Sequence, residues 1–347
     1  MNIFFRVDNS SFIGTGHIIR CLKLAKYFEN CNIFFICKKF SNNLNKKVLE
    51  SGYKLFEIEI KTDLSNLDTD SWLGESFEND CTNTINILKK YEVDLLIIDQ
   101  YAIDHQWQKK VKKYAKKILV IDDYIKRTHS CDYILNSLED DPKKYINYHN
   151  NSKLLLGSDY FIISDAFFKL SKSKSFNKSI KRVFLFISGS DLHNYTYSIC
   201  KELENKYNDI IFDILVGGSN KNYKKISELC SKNHNFNYYY NVENVHEIMY
   251  LADLCIGSLG QNFIERLVFR IPSVAFTIAD NQFGFLEKYQ NKNMFLYSGH
   301  LPKNLDVIKN FEKIITDKKL WMELKQSINL NCIVKNNKLS NLKKILF

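Results

Sequence analysis

The chain has 347 residues, of which 45% are hydrophobic and 25% charged, and a formal net charge of +10 at pH 7. At roughly 150 residues per domain, this length predicts about two domains, each large enough to bury its own core. The nine cysteines are odd in number and never spaced Cys-x-x-Cys, which favours reduced, packed thiols in a reducing compartment over a disulfide framework.

The positive charge comes from lysines spread along the chain, with denser patches at 109–117 and 169–182. Aromatic residues do not interleave with them as in a nucleic-acid-binding module, so we expect no nucleic-acid partner. An anionic small substrate, or at most a weak peripheral membrane association, fits the charge better. The sequence has no N-terminal signal pattern and no run of about eighteen apolar residues, so we expect a cytoplasmic protein, and a monomer.

The first predicted element is a strand over 2–7, which a short loop joins to an amphipathic helix over 17–28. Gly14 and Gly16 flank Thr15 in that loop. Glycines allow the backbone to approach a ligand, and the free amides at a helix start attract anions such as a diphosphate. His17 lies at the mouth of this loop, and imidazole, with an unperturbed pKa of about 6.5, suits a general base. A histidine that only bonds the backbone is the alternative for this window.

Short apolar runs then alternate with helical patterns through the first half of the chain. Continuous runs of this kind are typical of a parallel sheet that is covered by helices on both faces. The pattern therefore predicts a doubly wound, Rossmann-like α/β domain over 1–168. Its further strands are predicted at 32–37, 54–58, 94–98, 118–121, 133–135 and 154–156, and its further helices near 43–51, 79–91 and 107–116.

Residues 169–181 are rich in serine and lysine and offer little to bury, so they are predicted to be a linker. The alternation then resumes and predicts a second Rossmann-like domain over 182–347. We expect the two domains to face each other across a cleft, because such sheets bind ligands beyond the carboxyl ends of their strands. The strands of the second domain are predicted at 182–187, 211–216, 236–240, 254–256 and 273–278, its helices near 196–206, 223–230, 245–251 and 261–269, and its closing helices over 306–328.

Two turns of small residues follow strands of the second domain. The turn after the strand over 182–187 can present backbone amides to phosphate. The turn after the strand over 254–256 opens a helix whose first turn offers amides to a pyrophosphate. The substrate-binding residues predicted in these turns are Ser188, Gly189, Asp191, Ser258, Gly260 and Gln261.

Three further side chains are candidates for sugar recognition. Glu265 lies one turn into the helix, where a carboxylate can bond the two hydroxyls of a ribose; a solvated glutamate is the alternative. Asn281 and Gln282 follow the strand over 273–278 and are suited to reading sugar hydroxyls, or else are ordinary polar turn residues. No cluster of His, Cys and carboxylates has the spacing of a metal site.

Several motifs occur in a characteristic order. The first half contains Arg6-x-Asp8, Ile13-Gly-x-Gly-His17-x-x-Arg20, Trp72-Leu-Gly74, Asp80, Ile98-Asp99-x-Tyr101-x-x-Asp104-x-x-Trp107, Ile121-Asp-Asp123 and Cys131-Asp132. The second half contains Gly189-Ser-Asp191, Ala252-Asp253, Glu265-Arg266, Pro272-Ser273 and Ala279-Asp-Asn281-Gln282. In order and spacing, these motifs resemble the PseG group of UDP-sugar hydrolases from residue 2 to about residue 285.

The resemblance implies the glycosyltransferase-B architecture, also used by the MurG transferase, with UDP held mainly by the C-terminal domain and with no metal or cofactor. The group converts UDP-2,4-diacetamido-2,4,6-trideoxy-β-L-altropyranose to UDP and the free sugar, in pseudaminic acid biosynthesis for flagellin glycosylation. In these terms, His17 activates a water that attacks the anomeric carbon, and the C–O bond breaks with inversion. Amides after Ser188 and Gly257 stabilise the leaving diphosphate. The other implied substrate contacts are Arg6, Asp8, Gly14, Thr15, Gly16 and Tyr101.

The chain departs from the pattern of the group at three places. It has Ser188-Gly189 and Ser258-Leu-Gly260-Gln261 where the group shows glycine-rich turns, and Ser164 where the group shows an arginine. Two other functions therefore stay open. One is a glycosyltransferase of the same architecture, in which His17 deprotonates an acceptor hydroxyl. The other is a non-catalytic protein that binds a UDP-sugar.

Overall fold

The computed structural model describes residues 1–10, 12–60, 71–149, 151–175, 177–301, 306–330 and 338–347. The chain divides into two compact units. The first contains Met1–Ile162 and the chain end from Lys335 onward, and the second contains Ile163–Val334. Each unit holds one parallel sheet with helices, which confirms the predicted α/β class.

The sheet of the first unit has seven strands, all paired in parallel. They are β1 (Asn2–Val7), β2 (Asn32–Lys38), β3 (Lys54–Ile58), β4 (Leu95–Asp99), β5 (Lys117–Ile121), β6 (Tyr133–Asn136) and β7 (Lys153–Leu156). Their order in the sheet is β3-β2-β1-β4-β5-β6-β7. The chain builds outward from β1 to β3 and then returns to the other side of β1, so the strand order reverses between β1 and β4.

Successive residues of β1 enter two different cores, as the alternation of side chains along a strand requires. The helices of this unit before β5 are α1 (Gly16–Ala25), α2 (Lys46–Glu50), α3 (Phe77–Leu88) and α4 (His105–Val111). Ile3 and Phe5 pack in one cluster with Ile18 of α1. Phe4 packs in the other cluster with Leu88 of α3 and Trp107 of α4. The sheet is therefore covered on both faces.

The sheet of the second unit has six parallel strands. They are β8 (Arg182–Phe186), β9 (Ile211–Val216), β10 (Phe236–Tyr240), β11 (Leu254–Ser258), β12 (Ser273–Thr277) and β13 (Phe295–His300), in the order β10-β9-β8-β11-β12-β13. The order reverses between β8 and β11. The helices are α5 (Asp165–Ser171), α6 (Tyr195–Leu203), α7 (Tyr223–Ser231), α8 (Val245–Tyr250), α9 (Gln261–Val268), α10 (Phe283–Tyr289), α11 (Val307–Thr316) and α12 (Lys318–Leu330).

The division of the chain differs from the predicted limits in two places. Helix α5 was not predicted, and the predicted limits divide its residues between the first domain and the linker; it lies in the second unit, where the Phe167 ring lies 5.2 Å from the Phe269 ring between centres. The last residues of the chain were expected in the second domain, yet they form a helix that was not predicted, α13 (Leu342–Leu346), which lies in the first unit. Its Leu342 and Leu346 are fully buried in the core that contains Ile3.

Strand β13 was not predicted from the sequence. It lies at the edge of the second sheet, and only two of its six residues, Phe295 and Ser298, are buried, so it has no continuous apolar run. All eight cysteines in the described ranges are free, and seven of them are buried; Cys332 lies outside those ranges. Within the same ranges, no helix is both long enough and apolar enough to cross a membrane.

Candidate functional site

The reversal between β1 and β4 is where a doubly wound sheet opens a crevice for a ligand. Strand β1 ends at Val7, and the loop that follows it leads into α1. Strand β4 ends at Asp99, directly beside Val7 in the register of the sheet. This topology brings His17, in the first turn of α1, against Asp99 although 82 residues separate them in sequence.

His17 and Asp99 form a hydrogen-bonded pair. His17 Nδ1 lies 2.7 Å from Asp99 Oδ1. Burial raises the pKa of Asp99, but the charges of Arg20 and His17 outweigh it, so the pKa lies well below its usual value and Asp99 is a carboxylate. Arg20 Nη2 lies farther from Nδ1, at 3.3 Å. The shorter contact favours a proton on Nδ1 that is donated to Asp99, which leaves the lone pair on Nε2 for a reaction.

Arg20 joins Asp99 to a second carboxylate. Its Nε donates to Asp99 Oδ2 at 2.6 Å, and its Nη1 donates to Asp123. Tyr101 also donates to Asp123, at 2.9 Å. Burial, followed by the Asp123 carboxylate, raises the pKa of Tyr101 well above its usual value, so Tyr101 is a neutral donor. With His17 neutral, the two carboxylates and one guanidinium leave one net negative charge, which a proton taken up by His17 would balance.

Two aromatic rings fix the orientation of the imidazole. The His17 ring meets Tyr101 edge-on at 4.8 Å and Trp72 edge-on at 5.7 Å between ring centres. Trp72 and Tyr101 stack on each other at 5.6 Å. His17 is 5% exposed. The imidazole is therefore held by the rings of Trp72 and Tyr101, here called the aromatic corner, and by a carboxylate at Nδ1, an arrangement that limits its rotation and its contact with bulk water.

The loop before α1 has the features expected at an anion-binding helix start. Gly14 has a φ of +84°, a conformation that L side chains rarely adopt. Neither Gly14 nor Gly16 has a neighbour within 4 Å of the place where a Cβ would lie, so the space beside both is open. Thr15 precedes the helix, and its side chain makes no capping bond. Side chains therefore leave the first amides of α1 uncapped.

Arg6 and Asp8 were predicted to contact substrate, but the structure encloses both side chains. Arg6 is fully buried and donates to Asp8 and to Asp80, each at 2.6 Å. Asp8 also accepts from Gln100 at 2.7 Å. Lys38 lies 2.9 Å from the same Asp80 carboxylate. We therefore correct their role: Arg6 and Asp8 belong to a buried network that connects the ends of β1 and β2 to α3.

In the second unit, the loops after β8 and β11 meet at the other reversal. Ser258 donates from its hydroxyl to the carbonyl of Ile187 at 2.5 Å. Gly257 lies so close to β8 that a Cβ there would clash with the carbonyl of Phe186. Ser188 and Gly189 follow Ile187 and are partly exposed. The predicted Ser188 and Ser258 turns are therefore adjacent, as a single binding site for a phosphate group requires.

Asp191 has a different role from the predicted one. Its two carboxylate oxygens accept the backbone amides of Tyr195 at 2.9 Å and Thr196 at 2.8 Å, at the start of α6. The residue is 2% exposed. A carboxylate at a helix N-terminus stabilises the helix. The structure therefore corrects Asp191 from a substrate contact to a helix cap.

The other predicted residues of this unit lie around the start of α9. Gly260 precedes the helix, Gln261 begins it, and both are partly exposed. Gln282 approaches Gly260, since its Nε2 lies 3.8 Å from where a Cβ on Gly260 would be. Asn281 is also partly exposed. Glu265 is buried and accepts from Asn262 at 3.0 Å, so it is not the solvated glutamate of the alternative reading.

Four residues of the His17 site had no assigned role in the sequence. They are Arg20, Trp72, Asp99 and Asp123. All four occur in motifs that carried the resemblance, and Asp99 directly follows the apolar run of β4. An acidic residue at the end of a buried strand was therefore a usable signal. What the sequence lacked was the strand order that brings β4 beside β1.

The fold of the whole chain is that of known proteins, although no protein-family model matches the chain. Acinetobacter baumannii MurG is similar to it with a TM-score of 0.62 at 11% identity, over 99% of both chains. Arabidopsis thaliana UGT89C1 complexed with UDP is similar with a TM-score of 0.65 at 11% identity, over 99% of this chain and 98% of that one. The chain thus has the glycosyltransferase-B fold, as predicted.

Two relatives are similar in sequence. The UDP-2,4-diacetamido-2,4,6-trideoxy-beta-L-altropyranose hydrolase of Campylobacter jejuni is 28% identical over 287 residues, which are 81% of this chain and 93% of that protein. This similarity confirms the resemblance to the PseG group. An uncharacterised protein of Methanocaldococcus jannaschii is 26% identical over 286 residues, 79% of this chain. The match spans only 55% of the length of that protein.

Proposed function

We propose that the chain hydrolyses a UDP-linked sugar, and that the substrate is UDP-2,4-diacetamido-2,4,6-trideoxy-β-L-altropyranose. The observation that carries the proposal is the His17–Asp99 pair at the carboxyl ends of β1 and β4, with Nδ1 held at 2.7 Å and Nε2 left as the basic nitrogen. The similarity to the Campylobacter jejuni hydrolase supports the choice of substrate. The product would enter pseudaminic acid biosynthesis and flagellin glycosylation.

In the proposed reaction, His17 Nε2 takes a proton from a water as the water oxygen attacks the anomeric carbon. The new C–O bond forms on the face opposite the leaving group, so the configuration inverts. The bond between the anomeric carbon and the phosphate oxygen breaks, and its electron pair leaves with UDP. Asp99 and Asp123 stabilise the imidazolium electrostatically, while Arg20 holds both carboxylates in place.

The second unit is proposed to bind the UDP moiety. Amides near Ser188 and at the start of α9 would bond the diphosphate, and they would stabilise the charge that it gains on leaving. Glu265 is proposed to accept the ribose hydroxyls, and Asn281 and Gln282 are proposed to bond the sugar. Gly14, Thr15 and Gly16 are proposed to lie beside the reacting carbon, because they precede His17 directly.

The experiment that tests this function is a turnover assay without any acceptor. We expect release of UDP and free sugar, with the anomeric configuration followed by proton NMR and inverted at first appearance. In water labelled with oxygen-18, the label should enter the sugar. Label in UDP would mean attack at phosphorus and would overturn the proposed role of His17.

A glycosyltransferase is the second candidate, because MurG shares the fold over 99% of both chains. In that reaction His17 would deprotonate an acceptor hydroxyl in place of water. UDP release that requires an added lipid or peptide acceptor would favour the transferase. Tight UDP binding with no turnover across a panel of UDP-sugars would instead indicate a non-catalytic binding protein.

A further inference from the structure

Arg266 is a buried arginine on α9, beside the loop that follows β11. The residue is 1% exposed. Its Nη2 donates to the carbonyl of Ser258, and its Nε lies 3.4 Å from the carbonyl of Asn262. The guanidinium also lies 5.4 Å from the centre of the Phe263 ring. Arg266 therefore contacts the backbone on both sides of the turn at Gly260.

Among the described residues, this guanidinium has no carboxylate partner. Nη1 is buried and has no hydrogen-bond partner among them, and it faces Gly257, where it lies 3.3 Å from the place of a Cβ. In the described part of the chain no carboxylate forms an ion pair with Arg266, whereas Arg6 and Arg20 each pair with two. Burial lowers the pKa of Arg266 to about 10, and the neighbouring Glu265 offsets this only in part. A buried charge without a partner costs stability.

We propose that Arg266 is a positioning residue that prepares the Gly257–Gly260 loop for the diphosphate of a nucleotide, which supplies the missing counter-charge. The inference rests on the proposed function, since that function requires UDP. Arg266 is too deeply buried to touch the ligand, so it acts through the loop.

Two physical effects support this role. The bond from Nη2 turns the Ser258 carbonyl toward the guanidinium, so the negative end of that dipole is kept away from an anion at the loop. The unpaired positive charge also acts over a distance, because a buried charge is screened less than an exposed one. A bound diphosphate would therefore recover part of the free energy that burial of the charge costs.

The test compares UDP with uridine, which lacks the diphosphate, by isothermal titration calorimetry. R266Q removes the charge but keeps a donor for Ser258, and R266K keeps the charge. R270Q is the matched control, because it removes the same charge at Arg270, an exposed residue that follows the end of α9 by two positions. We expect R266Q to weaken UDP binding about tenfold or more, R266K to weaken it several-fold less than R266Q, and R270Q to leave it within about twofold of wild type.

Uridine binding should change by less than about twofold in every variant. The Tm of R266Q should be no lower than that of wild type, because the substitution removes a buried charge that has no counter-charge among the described residues. Equal weakening of UDP and uridine, with a lower Tm, would mean a purely structural role and would overturn the inference. If R266Q does not fold, R266M replaces it with the same expected results.

Inorganic pyrophosphate separates this inference from the proposed function. If the wild-type protein binds pyrophosphate but not UDP, and R266Q binds pyrophosphate more weakly, the nucleotide specificity is overturned and the anion site is retained. Protein that binds neither would overturn both. UDP binding that is equally strong in R266Q and wild type would overturn the inference alone.

Discussion

The two units contain the same kind of sheet but use the reversal of strand order differently. In the first unit, charged side chains meet there and pair with one another, as in the contacts among His17, Arg20 and Asp99. In the second unit, the reversal offers a turn, a helix start and Arg266, whose charge has no partner in the described residues. One fold thus provides a site suited to proton transfer and a site suited to an anion.

Loss of His17, the proposed base, should have the largest effect on turnover, and this effect should be confined to the site of the first unit. We expect H17Q to lower kcat roughly 10²-fold to 10⁴-fold, because glutamine cannot accept the proton of the attacking water. UDP affinity should stay within about twofold of wild type. The measurements are UDP release and titration calorimetry. H105Q is the control, since His105 lies at the start of α4 and outside the site; H17Q with near-normal turnover would contradict the mechanism.

Removal of the orienting carboxylate should be the next largest change. D99N should lower kcat by about 10² or more, because an amide does not hold the Nδ1 proton as a carboxylate does. It should also destabilise the protein by about 3–5 kcal/mol, since Arg20 loses a buried partner. Kinetics and urea unfolding measure the two effects. D132N, which breaks a partly exposed pair with Lys112, should cost at most about 1 kcal/mol; equal effects of both variants would refute the role of Asp99.

The two units should also respond to pH in different ranges, although the stability of each rises with pH within its range. In the first, burial raises the pKa of Asp80 and Asp99, but neighbouring cations lower both further, to below their usual values. The resulting stability is complete above the unfolded pKa of about 4 and is lost as the pH falls toward the folded values. In the second unit, burial lowers the pKa of Lys174 to about 8. The unfolded chain then binds more protons, so stability rises from about pH 8 to pH 10.

Hydrogen exchange resolved by peptide and corrected for the intrinsic pH dependence measures this difference. On acidification below about pH 4, protection in β1 and β4 should fall before protection in β8 and β11. Earlier loss of protection in the second unit would contradict the assignment of the buried ion pairs as a source of stability.

The aromatic corner should make the smallest contribution. W72F keeps a ring beside His17, and no hydrogen bond to a described residue is lost, because Trp72 Nε1 has no partner among those residues. We expect kcat/KM to fall only about two- to fivefold, with a stability loss of about 1–2 kcal/mol from imperfect packing. W107F is the informative contrast. It removes a hydrogen bond of 2.8 Å to buried Asp80, so it should lower stability more than W72F does and kcat/KM less. The reverse ranking would mean that Trp72 has no role in orienting His17.

Much of the fold could be read from local sequence. The alternation of apolar runs and amphipathic segments predicted two parallel sheets, because the central strands are buried on both faces and the helices that cover them on one. The boundaries were harder. Helices α5 and α13 are short, and their apolar residues do not reveal which core they join; that depends on contacts with residues far along the chain, such as Phe269 for Phe167 and Ile3 for Leu342.

The candidate site shows the same division. The loop with Gly14, Gly16 and His17 was identifiable because its signal lies within four consecutive residues. The sequence did not reveal that Arg6 and Asp8 are enclosed or that Asp191 caps a helix. A charged residue in a motif looks the same whether it faces a ligand or another side chain. Burial distinguishes these cases, and burial depends on the whole fold.

The sequence alone determined the local elements and the glycine loop, and it singled out His17 as the proposed base, since each depends on backbone preference and on patterns a few residues long. The tertiary structure decided which side chains complete the site. Strand order placed β4 beside β1 and so joined His17 to Asp99, and the fold buried Arg266 without a carboxylate partner in the part of the chain that the structure describes. Those outcomes depend on contacts between residues far apart in the chain, which no short pattern encodes.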